Sequence, residues 1–224
     1  GILGPNQWPR HRLAKADRNG SGKNSDANDE SPHAAPPPPF DPVEGKTNRP
    51  RIGLALSAGG ARGLTHIGVI QVLEENGIRI DCVAGTSMGA YVGACWCRGH
   101  DGQGLEKIAL SHRGRFGPWK LVDLAWPFQR GLVGGNKMES SLRQEIGDLN
   151  FNQLDRPFAV SATRFDNLEP TIFSSGDIAS AVRASCSMPG ICVPAKRDGI
   201  ELFDGGMTDP LAIGGDDDGV AEGQ

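Results

Sequence analysis

Two short units with the same grammar occupy the middle of the chain, and they limit its fold more than any other feature. Each is an apolar run, a glycine-rich turn and a helix-patterned stretch. The first is "RIGLALS", "AGGARG" and "LTHIGVIQVLEENG", Arg51 to Gly77. The second is "IRIDCVAG", "TSMG" and "AYVGACWCRG", Ile78 to Gly99. In the first helix Leu64, Ile67, Ile70 and Leu73 fall on one face, and Gly77 supplies a stop. Strand, turn, helix, repeated, predicts a parallel α/β sheet with right-handed crossovers. Function in such sheets gathers at the carboxyl ends of the strands, where both glycine-rich turns fall. Further strands are expected in "RPFAVSATRF", "EPTIFSS" and "GIELFDGG", and a helix in "GDIASAVRASCS".

The second turn carries Gly85-Thr86-Ser87-Met88-Gly89. A serine between strand and helix, with glycine two residues to either side, fits a nucleophile on a tight elbow, because the glycines remove side chains that would clash there. A glycine-rich bend beside a small-residue helix fits the same letters. A serine nucleophile needs a base. The chain has five histidines, His11, His33, His66, His100 and His112, and none lies in its last half. The familiar order of serine, acid and late histidine is therefore excluded. Asp204 in "LFDGG" is the best replacement: Gly205 and Gly206 let the chain turn away and leave the carboxylate at a strand end. Read alone, the same letters fit a surface turn.

The first turn, Ser57 to Gly63, exposes successive backbone N–H groups that can hold an oxyanion or a phosphate. A dinucleotide fingerprint would need glycine at position 58, which is Ala58, and no Walker lysine is present, so a nucleotide-binding module is disfavoured. Basic and aromatic residues interleave between Ser111 and Gly135, including Trp119 and Trp126, two of the chain's four tryptophans. That texture fits a lipid-facing lid or, equally, a helix pair with aromatic filling.

Taken in order, these segments resemble the patatin-like phospholipase family. "IGLALSAGGARGLTHIGVIQVLEENGI" is similar to its glycine-rich oxyanion segment and "GTSMGA" to its nucleophile turn. "SGDIASAVRASCSMPGICVP" and "FDGGMTDPL" are similar to its later motifs. The resemblance implies a three-layer α/β/α fold with a mainly parallel central sheet over residues 50–213. It implies a Ser87 nucleophile and an Asp204 base without histidine, and Gly59, Gly60, Arg62 and Met88 for oxyanion and substrate binding. Gly63, Gly85, Gly89, Gly205 and Gly206 are the motif glycines. The implied reaction is hydrolysis of lipid or phospholipid acyl esters through an acyl-enzyme, with no cofactor and no metal. The alternative is a catalytically weak or inactive patatin-like regulatory protein.

The rest of the 224-residue chain adds boundaries. Residues 1–49 are polar with four consecutive prolines, Pro36 to Pro39, and are expected to be a disordered segment. After Ile213 the chain turns into "GGDDDGVAEGQ", so 214–224 is expected to be an acidic tail on a C-terminus truncated or altered relative to the family. Net charge is −4, which offers no basic field for nucleic acid. No signal-like segment opens the sequence and the five cysteines are odd in number, so a cytoplasmic protein is expected, with peripheral membrane contact through residues 111–130. The cysteines are read as small buried hydrophobes.

Overall fold

The computed structural model describes residues 50–111 and 133–212. The expected disordered segment 1–49, the acidic tail 214–224 and all but Ser111 of the expected membrane-contacting stretch 111–130 lie outside the described residues.

The two strand–turn–helix units form as their patterning requires. Strand β1 (Gly53–Leu56) leads through a 3-10 turn (Gly60–Leu64) into helix α1 (Thr65–Glu75). Strand β2 (Cys82–Thr86) leads directly into α2 (Met88–Cys97). Helices α3 (Gly102–Ser111) and α4 (Asn136–Ile146) follow, then β3 (Phe158–Arg164), β4 (Pro170–Phe173) and α5 (Ile178–Ser185). The described chain closes with β5 (Ala195–Arg197), β6 (Ile200–Asp204) and a 3-10 turn (Gly205–Met207).

The sheet is mixed. Strands β1, β2 and β3 are parallel neighbours, whereas β4 and β6 both pair antiparallel with β3, and β5 pairs antiparallel with β6. Helix α2 packs on β1, β2 and β3 and touches every other described helix. The described helices flank this mixed sheet, with α2 at the centre of their packing, as the α/β expectation requires.

The small-residue composition of α2 explains its central place. A helix apolar on all sides must be buried on all sides. All of Gly89 to Cys97 is buried, and the helix backbone closes onto β1: a Cβ at Gly89 would collide with the carbonyl oxygen of Leu56. The core between sheet and helices is built from fully buried Leu56, Ile70, Val160, Ile178 and Val182. In α1, Ile67 and Ile70 face it, while Leu64, at the turn, remains 39% exposed. The cysteines divide: Cys95 and Cys97 are buried, Cys186 and Cys192 half-buried, and Cys82 exposed. Cys82 departs from the expected burial because it opens β2, where the strand emerges from the loop after Asp81. Among the described residues no helix is long and apolar enough to cross a membrane.

Candidate active site

The location of the site follows from how three strands share β3. Strand β4 pairs with Val160 to Thr163, overlapping the partners of both β2 (Phe158 to Ser161) and β6 (Ala162 to Arg164). A strand has two edges, so β2 and β6 lie on the same edge of β3. They run in opposite directions and meet with their carboxyl ends: Thr86 stands opposite Ser161, and Asp204 opposite Ala162. Asp204 thus reaches Ser87 from an antiparallel strand, not from the common carboxyl rim of a parallel sheet.

At the junction the Ser87 hydroxyl donates a 2.7 Å hydrogen bond to Asp204 Oδ2. Both residues are buried, at 7% and 6% exposure. Ser87 occupies the N-cap of α2 with φ 53° and ψ −121°, a left-handed backbone that a non-glycine residue adopts only under strain. Its side chain does not cap the helix. The other carboxylate oxygen of Asp204 accepts the Gly206 N–H at 2.8 Å. Gly205 allows this turn, because a Cβ there would strike the Ser161 carbonyl. Burial pushes the Asp204 carboxyl above the usual carboxylate range, against the opposing pull of the bonds from Ser87 and Gly206.

A second serine holds the elbow. The Ser185 hydroxyl, at the end of α5, accepts the Ser87 N–H at 2.7 Å and donates to the Ser161 carbonyl at 2.6 Å. Ser187 and Thr163 secure the other partner: Asp204 N–H donates to the Ser187 carbonyl at 2.9 Å, and the Thr163 hydroxyl donates to the Asp204 carbonyl at 3.0 Å. Sequence reasoning passed over these three residues. Their only signal was their membership of the "ASCS" and "SATR" stretches, which carries no indication of which backbone groups they meet.

The glycine-rich turn arrives from a third direction. Ala58 N–H donates to the Pro210 carbonyl at 2.8 Å, tying the turn to the segment after Asp204. Ala58 is not at positive φ, so its methyl group carries no backbone penalty. Gly63 lies against the Met88 side chain, and Gly206 against the Ala58 methyl. Gly85 lies in β2 and, like Gly89, packs against a neighbouring backbone. The N–H groups of Gly59 and Gly60 find no hydrogen-bond partner among the described residues. Arg62 is exposed and lines a polar cleft of about 340 Å³ with Ser57, Gly59 and His66. His66 engages the Ser57 carbonyl at 3.0 Å and His100 the Glu145 carbonyl at 3.1 Å, so neither described histidine serves Ser87. On the far side of Met88 an apolar cavity of about 270 Å³ runs between α2, α3 and the end of α5.

The chemistry available here is that of a serine hydroxyl bonded to a buried carboxylate, beside unpaired backbone donors and an apolar recess. The model of the family described as patatin-like phospholipase matches residues 54–215, and the chain belongs to that family. It is 35% identical over 164 residues to a lysophospholipase of Aspergillus fumigatus, covering 72% of this chain and 11% of the relative. It is 36% identical over 172 residues to an uncharacterized NTE family protein of Mycobacterium tuberculosis, covering 75% of this chain and 46% of that one. The chain thus spans about a tenth of the fungal relative's length and under half of the mycobacterial one's. The fold is similar to that of VipD from Legionella pneumophila, with a TM-score of 0.59 at 18% identity over 70% of this chain and 46% of that one.

Proposed function

We propose that the chain is a serine lipid acyl hydrolase in which Ser87 is the nucleophile and Asp204 the base. The hydrogen bond of 2.7 Å between the two side chains carries this reading. Ser87 Oγ attacks the ester carbonyl carbon while its proton passes to Asp204 Oδ2. The charge that develops on the carbonyl oxygen is met by the Gly59 and Gly60 N–H groups, with Arg62 adding positive charge. The intermediate collapses, the alcohol leaves with the proton from Asp204, and the acyl group remains on Ser87. Water then repeats the sequence and releases the fatty acid. Ser185 keeps the strained elbow aligned through the Ser87 N–H, and Met88 borders the recess for the acyl chain. Membership of the family and the lysophospholipase relative favour a phospholipid or lysophospholipid ester as substrate.

The raised pKa of Asp204 fits this role. A carboxylate is a weak base at its ordinary value, and burial strengthens it. Turnover then requires ionised Asp204 and falls on acidification at a pH above the ordinary carboxylate range. A fluorophosphonate probe tests the proposal: the protein should be labelled on Ser87, and Ser87→Ala should abolish labelling. A folded protein that neither labels nor releases fatty acid from lysophospholipid would remove the hydrolase reading.

A further inference from the structure

The apolar cavity beside the nucleophile has a direction. Met88, Tyr91, Val92 and Cys95 line it from α2, at the i, i+3, i+4, i+7 spacing of one helix face. Its rim is open, with Leu64 39% and Ile191 47% exposed, and its far end is closed, with Cys95 1% and Leu105 3% exposed. Met88, half-buried in its wall, directly follows Ser87 and so marks the end of the cavity nearest the serine. The single charged residue among the described ones in its wall, Arg183, is already committed to the Gly134 carbonyl at 2.6 Å and to Glu139 at 3.8 Å. Burial pushes the Cys95 thiol up to about 12, so the floor is neutral. An unbranched apolar ligand entering at Ser87 would descend along α2 until it met Cys95 and Leu105.

The helix supplies the scale. Seven residues separate Met88 from Cys95, which at about 1.5 Å per residue is about 10 Å of depth. An extended chain advances about 1.2 Å per bond, as the peptide backbone does, so the depth matches about eight carbons. A volume of about 270 Å³ lies just under the range of about 300–1,000 Å³ that holds drug-sized ligands, and suits one chain, not two.

We propose that this cavity gauges the length of a single acyl chain, with Cys95 and Leu105 as its floor, so that medium-chain esters of about eight to ten acyl carbons fit best. The inference rests on the hydrolase reading for its substrate, but the gauge can be tested without turnover. In the first arm, kcat/KM is measured on p-nitrophenyl esters from butyrate to palmitate. The wild type should peak at octanoate or decanoate and decline beyond. Each buried methylene contributes about fourfold. Cys95→Phe, which raises the floor by about two carbons, should lower the octanoate-to-butyrate ratio about fifteenfold. Leu105→Ala should raise the laurate-to-octanoate ratio by a similar factor. Ratios within one variant cancel any loss of folded protein.

In the second arm, calorimetry measures binding of butyric, octanoic, lauric and palmitic acids to Ser87→Ala and to its Cys95→Phe and Leu105→Ala doubles. Length-dependent binding that shifts with the floor, without turnover of any ester, would uphold the gauge and sink the hydrolase reading. Turnover that climbs steadily to palmitate, or ratios unmoved in both variants, would overturn the gauge and leave the hydrolase standing. Absence of both turnover and binding would overturn both.

Discussion

Helices α2 and α5 begin in opposite ways. At α5, Asp177 sits at the N-cap with φ −71° and ψ 125° and accepts the Ser180 N–H at 2.7 Å. Arg143 of α4 grips its carboxylate at 2.9 Å through both guanidinium nitrogens. At α2, Ser87 holds the same position with a residue type that caps well, yet its backbone is left-handed and its hydroxyl turns away to Asp204. One N-cap is spent on stability, whereas the other withholds its oxygen from the helix. The cost at α2 is about 1 kcal/mol of capping, offset by the burial of Gly89 to Cys97. Departure from a local rule, with surrounding structure holding it in place, is what the proposed role of Ser87 as nucleophile requires.

The two carboxylates diverge in the same way. Burial opposes ionisation of Asp177 too, but Arg143, the Ser180 N–H and Arg197 more than compensate and hold it below the usual range. Among the described residues no cation faces Asp204, and burial wins. Substitution to asparagine should therefore have opposite consequences. Asp204→Asn, like Ser87→Ala, should lower ester turnover by about 10³-fold or more, yet it should raise stability at neutral pH. The sign follows from linkage. A raised folded pKa makes the ionised carboxylate a burden, present above the folded value and absent below the unfolded one near pH 4. Denaturant unfolding of Asp204→Asn and wild type at pH 7 and pH 3.5 checks this; a variant less stable than wild type at pH 7 would contradict it.

Ser185→Ala attacks the elbow without touching the dyad. It leaves the Ser87 N–H and the Ser161 carbonyl buried without their partner, and should cost about 2 kcal/mol in denaturant unfolding along with a loss of kcat. A variant of normal turnover would show that the strained backbone holds itself.

The smallest effect is expected at the well-made cap. Asp177→Ala should cost about 1 kcal/mol, measured by thermal or denaturant unfolding. Its depressed pKa means that the stabilisation is present above the unfolded value near pH 4 and is lost as pH falls through the folded value, the reverse of Asp204. Fluorophosphonate labelling of the remaining folded protein should persist.

Much of this site was legible in the letters. The glycines at 85 and 89 bracket a serine between strand and helix, and the missing late histidine turned attention to Asp204. These are short-range facts, since backbone sterics act over a few residues. Other features left no such trace. Helix α4 and the three-residue strand β5 went unread, because α4 is largely polar and β5 is too short for alternation to register. The partner of the Ser87 N–H was equally hidden, since Ser185 lies 98 residues away on another helix.

Local strand–turn–helix units, the elbow serine and the two glycine-rich turns were thus determined by the sequence alone, because neighbouring residues settle them through sterics and hydrophobic period. What only the tertiary structure decided is the meeting of Ser87 with Asp204 across 117 residues. That meeting depends on β6 running antiparallel along the edge of β3 that β2 already occupies, and on α5 delivering a hydroxyl beneath the elbow. Strand direction and edge are chosen by the pairing of distant backbones and the core packed behind them, which no local pattern in the chain encodes.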